Sequence, residues 1–527
     1  MLTLNVPSTD ESAAQPAVDI RPKATAAWLA RLPYASPVDV ARQLGGALYA
    51  LNRRPLDVEA RYALLALYRP VVANAAISLE ALLAESGVPP SAQQGQIGTQ
   101  LRDLLIEHSI GYKHILLAAS RAAGHGIPPR RLAEVTARLL TSLRDIQIAC
   151  YLTYSPPPAG LWLEMHQIYL LAQRIGLADR SVGEALPASL AYRQALLLAL
   201  ADPPHLSRAE LVHTRQYLHQ LGELAVLGPA KGNIARTGFP VATDSDHGPG
   251  QSGSQTEAGL WLDTDALCRH LHEIALRLRT GDSPRRIGLP PGMESELSLT
   301  LSQRLLKLWR SGAQRAFRRY PAQTGSVEAV AGIGTIHRLL DGGPHASDPR
   351  ADSDDSLLIH DVHAQFAALP AVKPSRWTIC NDSAVGLALR GAPDEPLNLK
   401  VGDALALRND AAATWSLAVI RWIKMRDARQ VELGVERLSP QMQPAWVRPL
   451  SGHRKANPEP ALFVPGSPAL QQPDRLMLSR HLYQPGMSAA VWSPQRQATL
   501  AFGHRLAQTP GFDLIDFTLI ANEPTDD

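Results

Sequence analysis

Two short stretches carry the residue types that could do chemistry. In RSGAQRAFRRYP, Arg315 and Arg319 stand at R-x-x-x-R spacing with Arg318 beside them. Three guanidinia so close repel in water, but a dianionic ligand turns the same crowding into bidentate, charge-assisted hydrogen bonding, with a planar fork that lysine lacks. In WTICNDSAVGLAL, Asn381-Asp382-Ser383-Ala384-Val385-Gly386 offers a short amide, a hydroxyl and a glycine. Those groups donate and accept with little bulk, so a flat base could approach the backbone. The plain alternative is a solvated basic helix end and an ordinary turn.

The elements that must position these residues differ along the chain. With 527 residues, of which 45% are hydrophobic and 19% charged, the chain is a multidomain globular protein. Residues 1–24 have no periodicity and read as a flexible arm. From there to 227 the pattern is helical. Ser36-Pro37-Val38-Asp39 predicts an N-cap, and Val40, Leu44, Leu48 and Leu51 then fall on one face. A helix with Leu64, Leu67 and Tyr68 should stop before Pro70, and another should end near Gly87. Further helices follow over Leu101–Ala123, Leu132–Tyr151, Leu161–Ile175 and Leu186–Leu200, and after the capping box Ser207–Glu210. Trp162, Met165, Tyr169 and Ala172 read as a core stripe. Stacked hairpins, a solenoid-like arrangement, are expected, although no fixed-period consensus marks a repeat.

Residues 228–299 read as a linker, rich in Gly and Ser, followed by helices. Over 300–450 a last helix gives way to short strands at Val327–Ile336, Trp377–Leu389, Ala404–Arg408, Trp415–Trp422 and Val431–Glu436. Between the first two, 341–375 is acidic and turn-rich and reads as a surface insertion. A polar joint precedes a small C-terminal β module over 460–527, with strands near Leu476–Leu478, Ala489–Trp492, Thr499–Leu506 and Ile515–Ile520.

The arginine pair before the first strand and the N-x-S-x-x-G on a later one together resemble the PilZ domain, a family of bacterial cyclic-di-GMP receptors. The matching residues are Arg315, Arg319, Asn381, Ser383 and Gly386, followed by LKVGDALALR, WSLAVIRWIK and VELGVERLS. The resemblance implies a six-stranded antiparallel β-barrel between a helical N-terminal region and the C-terminal module, a multidomain α + β chain. It implies that Arg315, Arg318 and Arg319 grip phosphates and guanine edges of cyclic-di-GMP while Asn381, Ser383 and Gly386 hold the base. It further implies a receptor, not an enzyme, that converts ligand binding into altered protein–protein interaction in motility, biofilm or secretion control, with a protein partner on the helical region. One departure is the interval between Arg319 and Asn381, longer than usual in such domains. The alternative is a helical scaffold protein with a degenerate, ligand-free barrel.

Other classes find less support. Lys and Arg total 52 against 49 Asp and Glu, a net charge of +3, too small for a general nucleic-acid binder. Cys150, Cys268 and Cys380 show no paired spacing, which fits a reducing cytoplasm and no structural metal. His360-Asp361-Val362-His363 supplies too few ligands for a metal. Neither a nucleophile elbow nor a phosphate loop occurs, no cofactor is implied, and no apolar run of membrane-spanning length is expected.

Overall fold

In the computed structural model of the chain the described residues are 2–9, 19–84, 86–121, 127–230, 237–250, 259–290, 292–312, 320–321, 325–341, 369–383, 385–392, 397–409, 414–427, 429–450, 457–467, 471–493 and 496–522. The chain divides into two compact units, Met1–Ser86 with Pro90–Gln314, and Gly87–Pro89 with Arg315–Asp527.

The first unit is helical. It comprises α1 (Pro22–Leu29), α2 (Pro37–Asn52), α3 (Val58–Ala84), α4 (Ala92–Arg121), α5 (Pro129–Leu152), α6 (Leu161–Arg174), α7 (Ala188–Leu200), α8 (Arg208–Leu221), α9 (Asp265–Arg279) and α10 (Ser295–Ser311). Local sequence sets several of these starts. Ser36 accepts from the Asp39 amide with Pro37 in the first turn of α2, and Ser207 and Glu210 close a reciprocal capping box on α8. Along α6, Trp162, Met165, Tyr169 and Ala172 are all buried, as a core stripe requires.

Tertiary packing overrides local signals elsewhere. Helix α3 runs straight through Pro70, where two helices were expected. Tyr68 and Val72 are buried on either side of the proline, so packing offsets the lost hydrogen bond. By length and composition α3 could cross a membrane, contrary to the expectation of no such run. Its Leu64, Leu65, Tyr68, Leu79 and Leu83 are instead buried in the helical core.

The linker region also contributes to this unit. Strands β1 (Val226–Pro229), β2 (Gly238–Val241) and β3 (Leu260–Asp263) form a small sheet in the order β1-β3-β2. Phe239, Val241 and Leu262 point into the main core. Asp246 caps α6 by accepting from the amides of Gly160 (2.5 Å) and Trp162 (3.0 Å). At the other terminus, the arm expected to be loose is seated at Leu4, which joins the core.

The second unit holds two closed six-stranded barrels. The middle one is built from β4 (Tyr320–Pro321), β5 (Ser326–Ala331), β6 (Ser375–Asp382), β7 (Gly386–Gly391), β8 (Ala404–Arg408), β9 (Ser416–Met425) and β10 (Val431–Ser439). Its order is β6-β5-β8-β9-β10-β7, closed by β6–β7 pairing, with β4 added beside β6. The strand expected to reach Ile336 ends at Ala331. Gly332, at φ +85°, turns the chain into α11 (Ile333–Asp341), whose Ile333 and Ile336 are buried.

The C-terminal barrel closes as β11-β12-β13-β16-β15-β14, from β11 (Gln443–Pro449), β12 (Glu459–Val464), β13 (Arg475–Leu478), β14 (Ser488–Ser493), β15 (Arg496–Gln508) and β16 (Asp513–Asn522). One apolar cluster joins the barrels: Val330, Ile336, Ala406 and Val419 pack with Leu462, Met477, Phe512 and Leu514. This shared core is why the two barrels form one unit.

Candidate functional site

The N-x-S-x-x-G residues meet at the β6–β7 hairpin. A β-bulge between Ile379 and Asn381 decides where the amide goes. Before it, Thr378 pairs with exposed Arg390 and Ile379 with buried Leu389, so the usual alternation would turn residue 380 outward. The extra residue, Cys380, shifts the register, and Asn381 pairs with Ala388 on the outer face. One outer row then reads Asn381, Ala388, Gly434 and Trp422 across β6, β7, β10 and β9. Trp422 lies flat over Gly434, where a Cβ would stand 1.7 Å from its Nε1. The row thus runs from an amide through two small, buried residues, Ala388 and Gly434, to an indole that covers the second. Among the described residues the Asn381 side chain has no hydrogen-bond partner.

Ser383 and Gly386 are engaged within the hairpin itself. The Ser383 amide donates to the Gly386 carbonyl at 2.9 Å, and the Ser383 Oγ both donates to that carbonyl (2.9 Å) and accepts from the Gly386 amide (3.2 Å). A Cβ on Gly386 would stand 2.2 Å from the Val435 carbonyl oxygen, so glycine allows β7 to approach β10. Both residues thus have structural reasons to be what they are.

Arg437, unmarked by any motif in the sequence, fastens the hairpin. Its amide donates to the Val385 carbonyl (2.8 Å), and its Nη1 donates to Asp382 Oδ1 (3.2 Å) and the Ser383 carbonyl (3.3 Å). The signal was an arginine just past the alternating run VELGVE, visible but without a partner until the strands pair. Nearby, Glu432 accepts from Arg390 (2.7 Å) and Arg426 (2.9 Å). Burial pushes its carboxyl up, yet the two guanidinium hydrogen bonds prevail and hold it below the usual glutamate range.

Arg315, Arg318 and Arg319 lie outside the described residues, as do His360-Asp361-Val362-His363. Tyr320, the residue after Arg319, pairs with Asp382, and Pro321 pairs with Asn381. Backbone adjoining the arginine stretch is thereby placed against the motif strand. Among the described residues no cluster of His, Cys, Asp and Glu could hold a metal ion.

Three family models cover most of the chain. Residues 23–231 match the N-terminal domain of the cyclic-di-GMP receptor FimW, 345–444 its middle PilZ domain, and 445–520 the FimW C-terminal β-barrel domain. The PilZ match includes Asn381, Ser383 and Gly386 and begins after the arginines. A relative, the cyclic-di-GMP receptor FimW of Pseudomonas aeruginosa, is 25% identical over 96% of this chain and 92% of its own length. With its closed six-stranded barrel and the N-x-S-x-x-G hairpin upon it, the segment matched over 345–444 belongs to the PilZ-domain family.

Proposed function

We propose that the chain is a cyclic-di-GMP receptor whose ligand lies on the outer face of the middle barrel. The observation that carries this is the Asn381 amide, turned outward by the bulge and unpartnered among the described residues, on the strand that pairs with Tyr320 and Pro321. The name of the relative, a cyclic-di-GMP receptor, supports the choice of ligand. In this reading Arg315, Arg318 and Arg319 grip the phosphates and guanine edges, Asn381 meets the base, and Ser383 and Gly386 hold the hairpin's shape. Binding would then alter how the helical unit engages a protein partner. The thiols Cys150, Cys268 and Cys380 are free, which suits a reducing cytoplasmic setting.

A ligand-free docking barrel is the second reading. It is favoured by Ser383 and Gly386, whose identities the hairpin explains without a ligand. Calorimetric titration of the full chain with cyclic-di-GMP separates the two. Saturable heat that is lost in Asn381→Ala supports the receptor. Absence of heat, and of any thermal shift at millimolar ligand, leaves the docking barrel.

A further inference from the structure

The geometry points to a second binding site, a cleft in the helical unit that takes a soluble amphiphilic anion, an acid group on an apolar body. The cleft lies between α3, α4, α5 and α8 and encloses about 690 Å³. Ligand pockets commonly hold roughly 300–1,000 Å³, so the space suits a whole small molecule. Val72, Leu105, Ile148 and Leu198 line it and are buried, which gives it an apolar wall. Close packing of helices leaves few voids larger than a water molecule, so an opening of this size is not a by-product of packing.

Polar groups gather at one end. His108 lines the cleft, is more than nine-tenths buried, and has no partner for its Nε2. Buried polar atoms are ordinarily satisfied, so this imidazole has a hydrogen bond to offer to an occupant. Burial, and then the charges of Arg138 and Arg69, push it down to about 4, so the ring is neutral and the field around it is set by two cations. Tyr112 packs edge-on against it with ring centres 5.2 Å apart, and burial pushes its hydroxyl up to about 12, which keeps it a donor. The two arginines differ in how they are held. Arg138 lies 2.6 Å from Glu134, whereas the carboxylate facing Arg69 is that of Glu184, 3.6 Å away and 85% exposed. An incoming acid group can displace so weak a pairing. About three helical turns further along α3 the cleft offers an anion no such opening, because Glu80 pairs with Arg215 (2.7 Å) and Asp145 beside it with Arg144 (2.8 Å). The acid group therefore goes to Arg69, Arg138, His108 and Tyr112, and the apolar body lies along the wall. His108 and Tyr112 are enclosed by the fold, so the group that meets them belongs to a molecule free in solution and not to a lipid held in a bilayer.

The test titrates the full chain with two fluorescent probes, anilinonaphthalene sulfonate and N-phenylnaphthylamine, which is the same body without the sulfonate. The parent should bind the sulfonate saturably at one site. Arg69→Met removes a partly exposed cation and should weaken the sulfonate roughly 10-fold while leaving the neutral amine within about twofold. Ala73→Trp, at an exposed position on the wall, should weaken both probes by occupying the space. Arg315→Ala should change neither. Absence of saturable binding, an unchanged sulfonate affinity in Arg69→Met or Ala73→Trp, or an equal loss of both probes in Arg69→Met would each overturn the proposal. So would a loss in Arg315→Ala alone, since the probe would then sit at the anion site proposed on the barrel. Phosphatidylglycerol vesicles that bind the parent but not Arg69→Met would overturn the choice of a soluble ligand. Should either cleft variant lower the melting temperature, the other decides.

Discussion

In the middle barrel the charged ladder of Arg390, Glu432 and Arg426 stands on the outer face, with both arginines substantially exposed. In the C-terminal barrel Asp513 is turned inward with no exposed surface, 3.0 Å from Arg505, whose guanidinium covers the Tyr483 ring at 4.3 Å. Both barrels close through six antiparallel strands. Closure itself therefore does not decide where charge goes. The face that carries the N-x-S-x-x-G hairpin keeps its charges outside, where Arg390 and Arg426 both pair with Glu432. The other barrel spends one carboxylate on holding its own strands. Function follows the side chains grafted on a closed sheet, not the sheet.

The largest effect on stability is expected at Asp513. Asp513→Ala leaves Arg505 half-enclosed without its carboxylate, and removing one member of a buried pair costs about 3–5 kcal/mol. Urea unfolding of the full chain followed by circular dichroism reads this as a lower midpoint of the second unit. A loss below about 1 kcal/mol would mean that water already screens the pair and that the inward charge is not structural.

Next in size is the effect on binding. Arg315→Ala or Arg319→Ala should weaken cyclic-di-GMP binding roughly 10- to 150-fold, because each charge-assisted contact contributes about 1.5–3 kcal/mol. Lysine should rescue poorly, lacking the planar fork. Asp513→Ala, measured below its unfolding transition, should leave the affinity unchanged. Calorimetry in which both arginine variants bind like the parent would remove the arginines from the site.

How much of this was legible in the sequence depended on how local the cause was. The starts of α2 and α8 were readable because Ser36 and Ser207 reach only three residues ahead. β10 was readable from the alternation of Val431, Leu433 and Val435. What escaped depended on distant partners. Pro70 marked a break that packing around Tyr68 and Val72 removed. Asp246, in a stretch that reads as linker, caps a helix far back in the chain. β11 and β12 went unseen because Pro444 and Pro460 look like breakers until a barrel pairs them. At the candidate site the residue types were visible, but the bulge at Cys380 that turns Asn381 outward is a property of register. Arg437 acquires its role only when β10 meets the hairpin.

A smaller and pH-dependent effect is expected where the barrels meet. Asp403 is partly buried beside Gly402, whose carbonyl accepts from Thr509 of the second barrel (2.7 Å), and the loss of water around its carboxyl pushes it up to about 6. Its unfolded value is near 4. The folded state therefore prefers the neutral acid, and stability is greatest below pH ~4, declines between pH ~4 and ~6, and stays reduced above. Asp403→Asn keeps an acceptor for the Lys400 amide, which now donates to Asp403 Oδ2 at 2.8 Å. The variant should be more stable than the parent by about 1–3 kcal/mol at pH 8 and indistinguishable at pH 4. A constant difference across that range would show that the carboxyl does not titrate there.

The smallest effect is expected on the outer face. Arg421 Nε lies 2.7 Å from Glu436 Oε2, a good charge-assisted distance, but the two side chains are 44% and 43% exposed. Water and salt screen such a pair, and holding two long side chains costs rotamer entropy, so its net contribution should be about 0–1 kcal/mol. A double-mutant cycle with Arg421→Met and Glu436→Gln should give a coupling below about 0.5 kcal/mol that vanishes in 0.5 M salt. The same cycle at Arg505 and Asp513 should give several times more and keep it in salt. Glu436 also pairs in register with Gly386, so Glu436→Gln removes a negative charge beside the proposed anion site. Water screens that half-exposed charge, so the expected gain in ligand affinity is no more than about twofold. Couplings of equal size in the two barrels would show that exposure does not govern the strength of these pairs, and the contrast drawn between an outward and an inward use of charge would fail.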